Sequence, residues 1–210
     1  MVQLIFCISI IVFTGAWLYV ALHDNDFKVG ENRIKLLPAD VVGIVTYINL
    51  SMVILRNLPI YAAVFAIMSL PYLIVAAWTD KKTKLVYDSP FYFFASGTII
   101  LSSIANSQLT FEGLVIYIFA QILASLKLYG RGDRGMTVVC GSIYYICYND
   151  IVNALLMTCI MILIAEIILY AQSIKEKNLD GPFKLKESRP LGPKLCLATY
   201  IVLLGEFIFL

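Results

Sequence analysis

Long apolar runs alternate with short polar connectors along this chain, and the runs match the thickness of a bilayer. Crossing about 30 Å of hydrocarbon as a helix takes roughly 17–25 mostly apolar residues. Eight stretches meet or approach that length: 2–22, 39–55, 59–78, 89–107, 111–129, 134–148, 151–172 and 194–210. The second carries Asp40 and Asn49, the sixth is short and holds Gly135 and Gly141, and the seventh is the most hydrophobic. The first, "VQLIFCISIIVFTGAWLYVAL", has no basic n-region and no small-residue cleavage site, so it reads as a helix and not as a signal peptide. The predicted fold is all-α: a polytopic membrane helix bundle of about eight transmembrane helices, with no sustained repeats or low-complexity tracts.

Composition strengthens this picture. The 210 residues are 60% hydrophobic and 14% charged, with a mean hydropathy of +0.85. Soluble domains are about 45–50% apolar and about 25% charged, and a soluble fold of this size could not cover so much apolar surface. The net charge of +2 points to no nucleic-acid partner. Where the charges sit is more informative. With eight spans the connectors fall into two sets, and 15 of the 16 Lys and Arg residues belong to the set made by 23–38, 79–88, 130–133 with its flanks, and 173–193. Only Arg56 falls on the other side. Basic residues concentrate in cytoplasmic loops, so both termini are expected outside and the four basic loops inside. Removing one span would scramble the segregation.

Metal chemistry finds little footing. The cysteines Cys7, Cys140, Cys147, Cys159 and Cys196 all lie in apolar stretches, and none forms a CxxC pair. Cys140 and Cys147 could share a helix face, but two sulfurs without further ligands make a poor zinc site; all five read as small packing residues. The lone His23 opens a polar loop and reads as exposed or interfacial. No metal or other cofactor is expected.

Two carboxylates stand out by position. Asp80 closes the third span in "IVAAWTDKKTKLVYD", and Asp133 opens the sixth in "GRGDRGMTVVCG". Under the topology above both lie at the cytoplasmic membrane boundary. Each has a plain explanation: Asp80 as an interfacial residue beside Lys81 and Lys82, Asp133 as a helix N-cap. Taken together they permit sharper chemistry. Two carboxyl groups on different helices, brought close, do not both ionise easily and titrate as a unit. An acid pair sharing one proton is what aspartic proteolysis needs: one carboxylate activates water while the other, protonated, polarises the scissile carbonyl. Gly130 and Gly132 remove side-chain bulk beside Asp133, so the backbone turns freely and a substrate strand approaches closely.

The "GRGD" at 130–133, an earlier Asp at the foot of a membrane helix, and the late "RPLGPKLCLATYIVLL" together resemble the prepilin peptidases (type IV leader peptidases), within the wider group of GxGD intramembrane aspartic proteases. The resemblance covers about 60–210, which divides the chain into an N-terminal helix pair, 1–58, and a peptidase-like membrane domain of six helices, 59–210. It implies Asp80 and Asp133 as the catalytic acids. It also implies site-shaping roles for Gly130 and Gly132, and for Pro190, Gly192 and Pro193 at the start of the last helix. The implied reaction is removal of a short basic leader from a type IV prepilin-like precursor at the cytoplasmic face of a bacterial or archaeal inner membrane, with the precursor and the lipid bilayer as partners. This chain departs from the family in three places. Gly135 stands where the family has a Lys two residues after the GxGD Asp, and "DKKTKLVYD" lacks the usual Pro. The 23–38 loop has no cysteine, so no methylation module is implied.

Other readings stay open. Asp88, in a Tyr-Asp pair, is a rival first acid, but it lies beyond three lysines ahead of "SP". A catalytically inactive descendant acting as a membrane assembly factor is the main alternative. A small transporter would place acids near mid-span, where Asp40, Glu166 and Glu206 are the candidates. The aromatic run "SPFYFF" at 89–94 reads as an interfacial belt, and the polar loop 173–190 reads as solvated, with a turn at "DGP".

Overall fold

A computed structural model describes residues 2–24, 26–29, 32–58, 60–86, 131–148, 150–176 and 190–209, with isolated positions 115, 118, 119 and 122. The expected fourth span, the fifth apart from those four positions, Asp88, the 89–94 aromatic run, Gly130 and the 177–189 loop lie outside the described residues.

Among the described residues there are six helices and one small hairpin: α1 Val2–His23, β1 Lys28–Val29, β2 Asn32–Arg33, α2 Pro38–Asn57, α3 Ile60–Thr83, α4 Arg131–Tyr148, α5 Ile151–Lys175 and α6 Gly192–Phe209. The class is helical, as the apolar runs predict. Among the described residues four helices are long and apolar enough to cross a membrane: α1, α2, α3 from Ala62, and α5. The apolar parts of α4 and α6 are shorter, Gly135–Cys147 and Gly192–Gly205.

Helix α3 is the central post. Of its apolar window 89% is buried, against 22% for α1 and α5 and 28% for α2. Its sequence explains the position. Ala62, Ala63, Ala66, Ser69, Ala76 and Ala77 are all buried, and small residues let helix backbones approach closely where lipid provides no hydrophobic drive. Helices α1, α2, α4 and α6 all pack on it. By contrast α5 buries a stripe, Ala154, Thr158, Met161, Ala165, Leu169 and Ser173, against α4 and α6. Val152, Leu156, Leu163 and Ile167 on its other face are exposed, as suits contact with lipid. Its start is fixed by Asp150, which accepts from Val152 N at 2.8 Å as an N-cap.

Two helix ends differ from the expected ones, and both differences move candidate residues. Helix α3 runs past residue 78 to Thr83, so Asp80, Lys81 and Lys82 lie inside its last turns. Lysines are good helix formers and favour the C-terminal end of the dipole, so the helix outlasts the apolar run. It stops at Lys84, whose φ of 58° is left-handed and whose N–H still reaches Asp80 O at 2.8 Å. Helix α4 begins at Arg131, not 134. Gly132 and Asp133 are therefore helical, in the first turn, and Gly132 does not form the free turn expected of it. The first-turn N–H groups have no intrahelical partner, so an early glycine weakens the helix less than an interior one, while Asp133 suits the positive end of the dipole.

Candidate functional site

The last turn of α3 meets the start of α6 through Asp80. The segment Pro190–Leu191 leads into α6, where Leu191 O accepts from Lys194 N at 2.9 Å and Leu195 N at 3.0 Å. Pro193, in the first turn, needs no N–H there. Gly192 N is one of the donors a helix start leaves without a partner. It donates to Asp80 Oδ2 at 2.8 Å. Asp80 is 5% exposed, so its carboxyl group is buried against the positive end of the α6 dipole. Among the described residues no hydrogen bond reaches Asp80 Oδ1. The approach requires glycine: a Cβ on residue 192 would lie 2.9 Å from Asp80 Oδ2 and 3.1 Å from Met136 Sδ.

Met136 brings in the third element. It is fully buried on α4, three residues after Asp133, and helix geometry puts residues three apart on neighbouring positions of one face. Asp133 is half-buried in the first turn, and Thr137 Oγ1 donates to its carbonyl at 2.9 Å. Asp80, Gly192 and Met136 thus form one contact, and Asp133 lies one turn from it toward the helix start. Pro190 and Pro193 turn elsewhere, into a groove.

That groove has a volume of about 440 Å³. Helix α3 forms its floor with Ile74, Ala77, Trp78 and Lys81; α2 supplies one wall, and α5 with the start of α6 the other. Its polar mouth holds Asp40, Lys81, Gln172 and Lys194, while Gly43, Ile44, Tyr47 and Leu197 line the apolar remainder.

Sequence reasoning missed the role of Asp40. This residue is 5% exposed, accepts from Leu37 N at 3.0 Å, and meets Lys82 Nζ at 2.7 Å and Lys81 Nζ at 3.7 Å. It ties the start of α2 to the end of α3. The lysines next to Asp80 in sequence therefore serve Asp40. Lys194 is instead the cation within electrostatic reach of Asp80. Glu166 is half-buried on α5. His23 is exposed, with Nδ1 donating to Tyr19 O at 2.8 Å. Cys140 and Cys196 are fully buried, and Cys140 Sγ lies 3.0 Å from Thr199 Oγ1, as packing residues would.

The fold and the site define a helical membrane-type protein with a buried carboxyl group held at a helix start. No family model, curated protein or solved structure matches the chain.

Proposed function

We propose that the protein is a membrane-embedded aspartic endopeptidase that cleaves the leader of type IV prepilin-like precursors at the cytoplasmic boundary of a bacterial or archaeal inner membrane. The observation that carries this reading is the hydrogen bond from Gly192 N to Asp80 Oδ2 at 2.8 Å. The resemblance picks out both Asp80 and the Pro190–Pro193 segment, and Asp80 and Gly192, 112 residues apart, meet in the fold. Met136, in the helix that starts with the Asp133 motif, packs on the same spot.

In the proposed reaction Asp80 and Asp133 hold one proton between them. The ionised member takes a proton from water, the water oxygen attacks the scissile carbonyl, and the protonated member donates to the carbonyl oxygen. Collapse of the tetrahedral species breaks the C–N bond and returns a proton to the leaving amine. Gly192 fixes the orientation of Asp80 through the bond to Oδ2. Lys194 supplies a positive charge near Asp80, where the family's cation after the second Asp is replaced by Gly135. The full bundle in this reading has eight spans, with residues 89–107 and 111–129 completing it and the four basic loops inside.

Processing of a pilin-like precursor in cells tests the proposal. Asp80→Asn and Asp133→Asn should each abolish cleavage while the protein still inserts in the membrane. Cleavage surviving in both variants overturns it. Loss in neither variant, with pilus assembly still dependent on the chain, favours the inactive assembly factor.

A further inference from the structure

The groove beside α3 adjoins the proposed catalytic centre through Pro190, Pro193 and Lys194, and its lining is divided in a particular way. At the mouth, one carboxylate faces two ammonium groups: Asp40 pairs with Lys82 at 2.7 Å and has Lys81 only at 3.7 Å. A single negative charge cannot neutralise both. The Lys81 side chain is 60% exposed and reaches outward from the floor. From the opposite wall Lys194 adds a second cation, its Nζ donating to Pro190 O at 3.2 Å. Lys194 already faces Asp80, so three ammonium groups, Lys81, Lys82 and Lys194, stand against two carboxyl groups, Asp40 and Asp80, and the excess positive charge rests on the exposed Lys81.

Away from the mouth the character changes. Ile44, Ile74 and Leu197 make the walls apolar, with the Tyr47 ring among them. A Cβ added to Gly43 would meet nothing within 4 Å, so α2 leaves open space at this level. The volume of about 440 Å³ falls in the range of small-molecule sites, about 300–1,000 Å³. The mouth lies at the ends of helices long enough to span a bilayer, where headgroups sit.

We propose that this groove binds one anionic phospholipid, its phosphate at Lys81 and its acyl chain along Gly43, Ile44, Ile74 and Leu197. Basic sites between membrane helices take anionic headgroups. A soluble anion would use only the mouth and leave the apolar length empty. A peptide with a basic leader would be repelled by the same excess charge. Pro190 and Pro193 line this groove while Gly192 between them holds Asp80, so the bound lipid rests on the segment that positions the candidate acid. The site stands on its own geometry and does not depend on the peptidase reading.

The test is lipid retention by the purified full chain in neutral detergent, read by native mass spectrometry. Phosphatidylglycerol, phosphatidylcholine and soluble glycerol phosphate are the probes. Phosphatidylglycerol should be retained about fivefold or more over phosphatidylcholine, since each basic residue near a headgroup is worth about that factor. Lys81→Gln, at an exposed side chain that the fold does not need, should remove about fivefold of that preference. Gly43→Leu should block retention by filling the apolar length while Lys81 remains. Equal retention of the two lipids, or retention of phosphatidylglycerol unchanged in Lys81→Gln, overturns the proposal. So does displacement of the lipid by glycerol phosphate at matched concentration, which would make this a soluble-anion site. Displacement by an apolar helical peptide regardless of Lys81 would assign the groove to a protein helix. Because the readout is binding and not cleavage, failure here leaves the Asp80–Asp133 proposal standing, and the reverse also holds.

Discussion

Lys82 Nζ lies 2.7 Å from Asp40 Oδ2, so the acid at the start of α2 and the basic end of α3 are joined although 42 positions separate them in the numbering. The pair also explains which way the lysines face. On a helix, residues one and two apart do not share a face, so Lys81 and Lys82 turn away from Asp80 although they follow it directly. Asp40→Asn should keep the bond from Leu37 N, since an amide oxygen also accepts, but leave Lys82 without its counter-ion. Removing one partner of a buried pair costs about 3–5 kcal/mol. The Lys82 side chain is 19% exposed and can rehydrate in part, which puts the expected loss near the lower end, about 3 kcal/mol. Lys81→Met should cost less than about 1 kcal/mol, as for an exposed pair. Unfolding in detergent by heat or by added SDS measures both; equal losses from the two changes would contradict the assignment.

Gly192→Ala probes the Asp80 centre without touching either acid. The added methyl would lie 2.9 Å from Asp80 Oδ2 and 3.2 Å from Asp80 Cβ, so the carboxyl group must move. Overpacking of this kind costs about 1–3 kcal/mol, which the fold should survive. A shift of about 1 Å at a reacting group reduces rate on the order of 100-fold. The expected result is a folded protein with precursor processing down by roughly that factor. Met136→Ala in the same chain should not rescue it, because the tighter contact is with Asp80. Full processing in Gly192→Ala would show that Asp80 needs no fixed position.

Much of the fold was legible because hydropathy reports helices directly. The runs at 2–22, 39–55 and 151–172 became α1, α2 and α5 with no end moved by more than three residues. Hydropathy does not say which helix is central. The runs that became α1 and α3 look alike by that measure, yet one window is 22% buried and the other 89%. The signal for a central helix lies in the small residues of α3, Ala62, Ala63, Ala66, Ala76 and Ala77, which hydropathy does not separate from the rest. The Asp40–Lys82 pair was illegible for another reason: it depends on which helix ends meet, and no local pattern encodes that. Asp80 and Gly192 could be picked out by motif, but the bond between them follows from how α3 and α6 cross.

Ser51 Oγ and Tyr200 OH lie 2.6 Å apart in a buried setting, with Ser51 Oγ also donating to Tyr47 O at 2.8 Å. This links α2 to α6 at mid-bundle, where Tyr47 and Tyr200 rings pack at 4.9 Å. Hydrogen bonds between membrane helices average about 0.6 kcal/mol and rarely exceed about 1.7. A double-mutant cycle of Ser51→Ala and Tyr200→Phe should therefore give a coupling of about 0.6 kcal/mol. A coupling indistinguishable from zero would mean that packing of the two rings alone holds these helices.

The sidedness of the bundle gives the broadest prediction. Asp40, Lys81, Gln172 and Lys194 share the groove mouth, which puts the start of α2, the end of α3, the end of α5 and the start of α6 at one end. Arg56, near the end of α2, lines a small cleft with Phe6 and Cys7 from the start of α1, which marks the opposite end. In a chain whose five cysteines are replaced by serine or alanine, single cysteines at Lys84 and Lys175 should react with a membrane-impermeant maleimide from the same side. A cysteine at Arg56 should react only from the other. Basic residues mark the cytoplasmic side, so Lys84→Cys and Lys175→Cys should stay protected in intact cells and react once the membrane is opened, and Arg56→Cys should react at once. If Arg56→Cys and Lys84→Cys label together, α2 and α3 do not cross the bilayer as an antiparallel pair. In that case a buried acid centre at an inner-leaflet boundary has no membrane to sit in.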